Sequence, residues 1–564
     1  MAWYDESVFY HIYPLGLTGA PKQNNYGEPV HRLRTLLPWI DHLKKLGITG
    51  LYIGPLFESV GHGYETTDYK KVDSRLGTNA DLKEFVSACH EAGIHVILDG
   101  VFNHTGRDFF AFKDLQAKRE NSQYRDWYCN VNFWGNNEYG DGFSYENWGG
   151  FNLLVKLNQR NPAVRDYICD VIRFWVSEFD IDGIRLDAAD VLDFEFMKAL
   201  RRTANEVKND FWLMGEVIHG DYSRWANTDT LHSVTNYALH KALYSGHNDH
   251  NYFEIAHTVK RTNDLVPAHI RLYNFVDNHD VERIYTKLYN KAHFLPVHIL
   301  LYALPGIPSI YYGSEFGIEG RKEKWSDDSL RPCIDLKDHE NDYETNPCTS
   351  LIARLGKIYA VYKDLVWGDY RELSLTTGQY AFARGSLITA VNNADQPADV
   401  YVPASGEAYA GLISGRHVQT EGGSLKLCLG PNEGDIFAPE DERYQVFLDV
   451  IGGKKLTRQV PPHAETVLED ARESSETASA KEDGAADEPI TWNFGGQAEK
   501  KVVSQDSPVT VQIPDIPYDQ MTVEQLQAVI LAKMEKNGNV TDRMRREVQE
   551  NIWHDSLVNW AKSF

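Results

Sequence analysis

Short apolar runs alternate with segments of helical apolar spacing along the first 365 residues. The runs at 8–13, 50–54 and 95–99 are apolar on both faces, which is typical of strands buried within a parallel sheet. Between the first two, leucine and isoleucine recur at helical spacing and stop at Gly47, which predicts a helix that ends there. Further strand-then-helix units are predicted over 161–188, 193–217, 232–262, 271–304 and 307–364.

About eight such units predict an α/β fold in which parallel strands and crossover helices form a closed (β/α)₈ TIM barrel over residues 1–365. An open sheet is the other arrangement that this order allows. We favour the barrel because both faces of each predicted strand are apolar and therefore buried.

One interval, residues 105–160, interrupts this alternation and shows no clean helical period. A structureless insert of this length would be unusual unless it were functional, so we expect a small subdomain after the third strand, over the active face. The insert is rich in aromatic residues, whose rings either form the insert's own core or offer exposed faces on which a ligand could stack. The aromatic residues are Tyr124, Trp127, Tyr128, Phe133, Trp134, Tyr139, Phe143, Tyr145, Trp148 and Phe151.

The pattern changes to short alternating runs after residue 365. Runs at 379–384, 387–391 and 398–402, separated by Gly, Asn, Asp and Pro, predict an antiparallel β-sandwich domain over 366–440. We expect residues 441–516 to be an acidic, largely disordered linker, because 465–489 carries nine acidic and two basic residues and no aromatic one.

The last segment, residues 517–564, is predicted to form a helical hairpin. Thr522 and Gln525 make a capping box, and an apolar stripe follows as far as the break at 537–539. A hairpin of this size is too small to be stable alone, so we expect it to dock on its own protein or on a partner, including a second copy of the chain.

Composition and charge exclude several functional classes. The net charge of −24, from 81 acidic and 57 basic residues, opposes binding to nucleic acid. No run approaches the ~18 apolar residues of a membrane span, and the amino-terminal segment has no signal-peptide pattern, so we expect a cytoplasmic protein. The six cysteines lie far apart, which favours reduced thiols over a disulfide framework or a zinc site.

Four short acidic phrases carry the candidate chemistry. They lie at 99–104, 183–187, 215–217 and 275–280, and each follows an apolar run, as catalytic groups do at the carboxyl ends of barrel strands. Asp187 and Glu216 are one strand-helix unit apart, so we expect them to end adjacent strands. Arg185 lies two positions before Asp187, so both side chains should point to the same side of their strand.

In this order the four phrases resemble the conserved regions of the α-amylase superfamily, glycoside hydrolase family 13, over residues 1 to about 440. The resemblance implies retaining glycoside hydrolysis, which requires two carboxyl groups about 5 to 5.5 Å apart. By residue match, Asp187 resembles the nucleophile, Glu216 the general acid/base, and Asp280 the third carboxylate, which grips the substrate's hydroxyls.

Further matches imply the substrate-binding set and its electrostatics. Tyr64 resembles the ring that stacks beneath the sugar, and His104 and His279 resemble the histidines that hydrogen-bond it. We expect Arg185 to keep Asp187 ionised, and neighbouring carboxylates to raise the pKa of Glu216. The expected binding residues are Tyr64, His104, Arg185, His279 and Asp99, of which Asp99, with Asn103, looks architectural at the end of strand three.

Two sequence features indicate which subgroup of the family the chain resembles. Residues 154–158 resemble a phrase of neopullulanases and cyclomaltodextrinases, with Val155 in place of the usual proline. Ala188, directly after the expected nucleophile, is similar to members that act on α-1,4 bonds. Residues 306–315 look like the last barrel strand of the family.

Two departures from the family pattern concern metal binding and sugar contacts. We expect no required cofactor, and a structural calcium ion remains an alternative. Asn103 is present, but Ala189 and Asp190 replace the Lys-His pair of many α-amylases, and no Asp-Xaa-Asn-Xaa-Asp loop follows the first strand. Glu65 replaces the aspartate that commonly follows the stacking tyrosine.

Our leading hypothesis is a retaining hydrolase of α-1,4-glucosidic bonds in maltodextrins or cyclodextrins, with an α-glucan oligosaccharide as its partner. The alternative on the same site is a 4-α-glucanotransferase or a trehalose-synthase-like isomerase, in which a sugar hydroxyl attacks the Asp187 intermediate in place of water. A hypothesis from another class is a non-catalytic carbohydrate-binding protein, against which the intact set of Asp187, Glu216 and Asp280 argues.

Overall fold

The computed structural model describes residues 2–324, 326–452 and 521–536. The chain divides into two compact units, Met1–Ser479 and Ala480–Phe564. Residues 453–516 of the predicted linker and the second helix of the predicted hairpin lie outside the described residues.

The first unit contains the predicted (β/α)₈ barrel. Each barrel strand except the sixth pairs in parallel with the next one along the chain, and the last pairs with the first. A parallel bridge from Thr235 to Tyr273 closes the remaining gap between the sixth and seventh strands. The strands are β1 (Phe9–Ile12), β2 (Gly50–Ile53), β3 (His95–Gly100), β4 (Gly183–Leu186), β5 (Trp212–Gly215), β6 (Ser233–Val234), β7 (Tyr273–Phe275) and β8 (Ile307–Tyr311).

Large side chains from alternate strands fill the inside of the barrel. Phe9 packs on Trp212 with ring centroids 4.9 Å apart, and both contact Tyr273 from the far side of the barrel. This packing makes the lower barrel a solid core rather than a channel, so the polar chemistry is confined to the carboxyl ends of the strands.

Helices cover the outside of the barrel, and side-chain caps fix where several of them begin. Thr78 and Asp81 form a capping box, Asn161 caps a helix that starts with Pro162, and Asp193 caps the helix after β4. The longer helices are Leu37–Lys45, Asn79–Glu91, Pro162–Phe179, Phe194–Val207, Tyr237–Asn248, Tyr252–Leu265, Phe294–Ala303 and Pro347–Val361, and the short ones are Pro14–Leu17, Ile284–Lys287, Asp342–Thr345 and Asp364–Trp367.

Two loops at the carboxyl ends of the strands carry structure of their own. The loop after β2 forms a hairpin of Phe57–Ser59 and Thr66–Val72, and the insert after β3 contains a three-stranded antiparallel sheet. The insert also contains a helix, Phe110–Lys118, where no helical period was expected. Its aromatic core, centred on Phe112, obscures the helical period in the sequence. The sheet strands are His104–Gly106, Asn147–Trp148 and Phe151–Lys156.

The predicted β-sandwich follows the barrel. A six-stranded and a two-stranded antiparallel sheet pack across a shared core that includes Phe437 and Leu427. The expected runs at 379–384, 387–391 and 398–402 are all strands. The strands are Tyr370–Leu375, Gln379–Arg384, Leu387–Asn392, Ala398–Pro403, Ala408–Gly411, His417–Gln419, Ser424–Leu429 and Gly434–Pro439.

The prediction that the disordered linker begins at residue 441 is wrong for its first residues. Asp441 caps a helix, Glu442–Val450, whose Phe447 is buried against Tyr362 with ring centroids 6.0 Å apart. The guanidinium of Arg443 also donates a hydrogen bond to Asp364 at 2.8 Å. Phe447, the partly buried Tyr444 and Ile451, and the contacts of Arg443 with Asp364 and Ser386 anchor this segment.

The described part of the second unit is one helix, Val523–Lys536. The predicted capping box is present, because Thr522 N donates to Gln525 Oε1 at 2.8 Å and Gln525 N donates to Thr522 Oγ1 at 3.3 Å. That this segment docks on the protein or on a partner remains a prediction.

Candidate active site

The four acidic phrases lie at or beyond the carboxyl ends of β3, β4, β5 and β7, on one face of the barrel. Asp99 is the penultimate residue of β3, Asp187 directly follows β4, and Glu216 directly follows β5. Strands β4 and β5 pair in register, so the expected adjacency of Asp187 and Glu216 is confirmed. Asp280 lies five residues beyond the end of β7, on the loop that follows it.

The guanidinium of Arg185 joins three of these carboxylates. Its Nη1 donates to Asp99 at 2.9 and 3.1 Å and to Asp187 Oδ1 at 3.0 Å. Its Nη2 lies 2.8 Å from Glu216 Oε2. The fixed fork of a guanidinium suits such a cluster, so one buried cation sets the positions of both candidate catalytic carboxyls.

Glu216 is held from two further sides. The backbone N–H of Ala188 donates to Glu216 Oε2 at 3.0 Å, and the hydroxyl of Tyr237 donates to Oε1 at 3.4 Å. Ala188 adopts a left-handed backbone with φ of 45°, which is rare for a residue with a Cβ and turns this N–H toward Glu216. Asn278 in turn donates to the Tyr237 hydroxyl at 3.1 Å.

Asp280 lies at the more open side of the site. Its carboxylate contacts His279 Nε2 at 3.0 Å and Arg331 Nη2 at 2.9 Å, and its side chain is 35% exposed, against 11% for Asp187 and 12% for Glu216. The side chain of Lys322 donates to the Asp280 carbonyl at 2.8 Å. The third carboxylate is therefore anchored but still accessible to a ligand.

An aromatic wall lies between Asp99 and Asp280. The Tyr64 hydroxyl donates to Asp99 Oδ2 at 3.1 Å and also contacts His279 Nε2, and the two rings stack at 5.6 Å. The Tyr52 hydroxyl donates to the same Asp99 oxygen at 2.8 Å. Asp99 is thus fully engaged with protein groups, as its expected architectural role requires, and has no exposed oxygen for a ligand.

The placement of His104 differs from the expectation that it hydrogen-bonds a ligand. The residue is 1% exposed, its Nδ1 contacts the Asn103 amide at 3.2 Å, and its Nε2 contacts the Tyr64 carbonyl at 3.1 Å. Burial lowers the pKa of His104 to about 3, so the ring is neutral. Both ring nitrogens are engaged by the protein, and in this conformation His104 supports the backbone of Tyr64.

The expected rise in the pKa of Glu216 is confirmed, with burial as its largest cause and Asp280 and Asp99 contributing, but the expectation that Arg185 alone keeps Asp187 ionised is wrong. Burial raises the pKa of both carboxyls and places that of Asp187 well above its ordinary range, although Arg185 lowers both. The sequence predicted a contact of Arg185 with Asp187, whereas in the structure its guanidinium contacts Asp99, Asp187 and Glu216. Asp187 and Glu216 therefore titrate as a coupled pair, and the pKa values belong to the pair rather than to either residue.

Tyr52, Tyr237, Asn278 and Arg331 belong to the site and were not identified from the sequence. Asn278 lies inside the fourth phrase, which is the one local signal among them. Arg331 is in an irregular segment after β8, and its guanidinium contacts Asp280 and also lies 4.7 Å from the Tyr13 ring centroid. Such contacts between distant segments have no periodic pattern.

Comparison with known proteins gives the same reading of the fold. Residues 30–349 match the family described as "Alpha amylase, catalytic domain". This match spans most of the barrel and the whole insert. The chain belongs to the α-amylase family.

Individual members of the α-amylase family are similar over much of the chain. A maltogenic alpha-amylase from Bacillus acidopullulyticus is 32% identical over 61% of this chain and 61% of its own length. Neopullulanase 2 from Thermoactinomyces vulgaris is 31% identical over 77% of this chain and 78% of its own. A solved structure described as cyclomaltodextrinase has a TM-score of 0.69 at 25% identity, over 77% of this chain and 78% of that one.

The described residues contain no cluster of metal ligands and no membrane-spanning helix. No group of three or more His, Cys, Asp or Glu side chains that could hold a metal ion occurs in the described part of this α-amylase family chain. Among the same residues, no helix has the length and apolar character needed to cross a bilayer.

Proposed function

We propose that this α-amylase family glycoside hydrolase cleaves α-1,4-glucosidic bonds of maltodextrins or cyclodextrins with retention of anomeric configuration. The contact of one Arg185 guanidinium with both Asp187 and Glu216 carries the proposal. Retaining cleavage requires two carboxyl groups close enough to act on opposite sides of one bond. Two carboxyls that contact a single guanidinium at the mouth of the barrel support such an arrangement.

In the first step Asp187 attacks the anomeric carbon and Glu216 protonates the glycosidic oxygen. The carbon–oxygen bond to the leaving sugar breaks as the bond to the Asp187 carboxylate forms. The reactive form of the pair is the one in which Asp187 is ionised and Glu216 carries the proton. A glycosidic oxygen beside Glu216 accepts a hydrogen bond from the protonated carboxyl and so holds the proton there, while the guanidinium of Arg185 stabilises the Asp187 carboxylate.

In the second step water attacks the glycosyl–Asp187 ester, and Glu216 accepts the proton of that water. The products are a sugar with its original anomeric configuration and the regenerated carboxyl pair. Both steps use side chains alone, so we propose that the reaction requires no cofactor.

The remaining site residues position the sugar in this proposal. Tyr64 stacks beneath the ring, and the partly exposed Asp280 binds its hydroxyls and strengthens that contact as the ring flattens toward the oxocarbenium ion. His279, which was expected to bind the sugar directly, is 1% exposed and its Nε2 contacts Tyr64 and Asp280, so it positions these two side chains instead. His104 contributes through the backbone of Tyr64.

The choice of α-1,4 bonds and short glucans rests on the subgroup. Ala188 and the phrase at 154–158 resemble α-1,4-acting neopullulanases and cyclomaltodextrinases. The matched relatives bear the names maltogenic alpha-amylase, neopullulanase and cyclomaltodextrinase. These names and residue matches support maltodextrins and cyclodextrins as the substrate class.

The products from maltotriose test hydrolysis against sugar transfer. We expect glucose and maltose to dominate from the first minutes, because water resolves the intermediate. Chromatography of timed samples measures the products, with the Asp187→Asn variant as the blank. Products longer than maltotriose in excess of glucose and maltose would contradict hydrolysis and support a 4-α-glucanotransferase. Trehalose formed from maltose would support the isomerase instead.

A further inference from the structure

The side chain of Gln159 lies at the junction of three segments that build the site. It is at the end of the insert and is 7% exposed. Its Nε2 donates to Asn103 Oδ1 at 3.3 Å, at the end of β3, and its Oε1 accepts from the backbone N–H of Asp193 at 2.6 Å, at the start of the helix after β4. One neutral amide therefore joins the insert to two βα loops of the barrel.

The hydrogen bonds from this amide have one consistent direction. The Tyr64 carbonyl can only accept, so His104 Nε2 carries the proton and its Nδ1 accepts. Asn103 must then donate from its NH₂ to His104 Nδ1. Its oxygen accepts a hydrogen bond from the NH₂ of Gln159. The chain of donors runs from Gln159 through Asn103 and His104 to Tyr64, the proposed stacking residue.

The same junction is where the family resemblance implies a calcium ion, and the donor set does not fit one. The Asn103 oxygen faces an N–H rather than an empty space. The Asp193 carboxylate caps its helix through Oδ1, at 2.9 Å from Glu195 N, and its Oδ2 binds Arg160 Nε at 3.0 Å. Calcium requires six to eight oxygen ligands, and the side-chain oxygens of Asn103, Gln159 and Asp193 already accept hydrogen bonds from the protein.

We infer that the Gln159 amide replaces a structural cation at the junction of the insert and the barrel and fixes the hydrogen-bond direction that reaches Tyr64. This inference rests on the fold and on family membership. The proposed substrate plays no part in it.

Thermal unfolding of the full chain tests the inference, with and without calcium. The wild-type midpoint should be the same in EDTA and in millimolar calcium chloride. Gln159→Leu keeps the volume but removes both hydrogen bonds, so its midpoint should fall by several degrees in both buffers. Gln116→Leu is the matched control, because Gln116 donates to Asp141, which also lies within the insert. It should leave the midpoint closer to wild type.

The Gln159→Glu variant distinguishes between two roles of Gln159, replacement of a cation and ordinary packing. Its added carboxylate oxygen would face the Asn103 oxygen, so the midpoint should fall in EDTA and recover in calcium, whereas Gln159→Leu should not recover. A wild-type midpoint that falls in EDTA would overturn the inference. So would a Gln159→Leu midpoint no lower than that of Gln116→Leu, or a Gln159→Glu midpoint that ignores calcium. None of these unfolding measurements uses a substrate, so their results do not depend on whether the proposed function is correct.

Discussion

Replacing Asp187 with asparagine is expected to lower kcat/KM by at least about 10⁴-fold, on maltotriose and on α-maltosyl fluoride alike. The amide keeps the size of the side chain and can still contact Arg185, but it cannot form the glycosyl ester. Fluoride leaves without protonation, so a better leaving group does not compensate for a missing nucleophile. Initial rates on the two substrates, with purified variant and parent, measure the effect.

The Glu216→Gln variant is the matched contrast. On maltotriose we expect a loss of about 10² to 10⁴-fold, the range that general acid catalysis contributes. On α-maltosyl fluoride the first step should be largely preserved, because fluoride needs no proton. A Glu216→Gln variant that is as active as the parent on maltotriose would contradict the assignment of Glu216. Equal losses on both substrates in this variant would contradict the division of roles between the two carboxyls.

Replacing Arg185 with methionine is expected to have the second-largest effect, on stability and on activity together. Arg185 is buried and contacts three carboxylates, which would lose their shared cation. Breaking a buried ion pair by removing one partner costs about 3–5 kcal/mol of unfolding free energy. Activity should be lost with it, because without the guanidinium Asp187 would bind a proton at neutral pH.

Arg185→Lys keeps the charge but not the fork, and it gives a readout even if the methionine variant does not fold. An ammonium cannot bond all three carboxylates in the same geometry. The pKa of the Asp187–Glu216 pair should therefore rise, and the acidic limb of the kcat/KM profile should move to higher pH. Arg173→Met is the control, because Arg173 pairs with Asp170 and Glu206 at the surface and should change stability by less than about 1 kcal/mol. An unshifted acidic limb in Arg185→Lys would contradict the role of the guanidinium.

The features that local spacing determines were predictable from the sequence. A strand-helix unit has a nearly fixed length, so the separation of Asp187 and Glu216 placed them on adjacent strands, as β4 and β5 confirm. The two-residue period of a strand placed Arg185 beside Asp187. Both conclusions follow from geometry that holds for any barrel.

The features that depend on long-range contacts or on depth of burial were not predictable. Arg331 binds Asp280 from 51 positions away, and its segment has no pattern that indicates the contact. The pKa of Asp187 depends on how far the whole barrel buries it, which one strand does not reveal. The helix Glu442–Val450 depends on contacts of Phe447 and Arg443 with distant parts of the chain, and the acidic composition of 465–489 does not extend to it.

Trapping the glycosyl-enzyme intermediate tests the central claim most directly. A 5-fluoro-α-glucosyl fluoride forms the ester quickly, because fluoride leaves readily, and hydrolyses slowly, because the ring fluorine destabilises the oxocarbenium-like transition state. Mass spectrometry of a proteolytic digest should show one modified peptide, with the sugar on Asp187. A sugar on any other carboxylate, or an active enzyme that forms no adduct, would contradict retaining catalysis by Asp187.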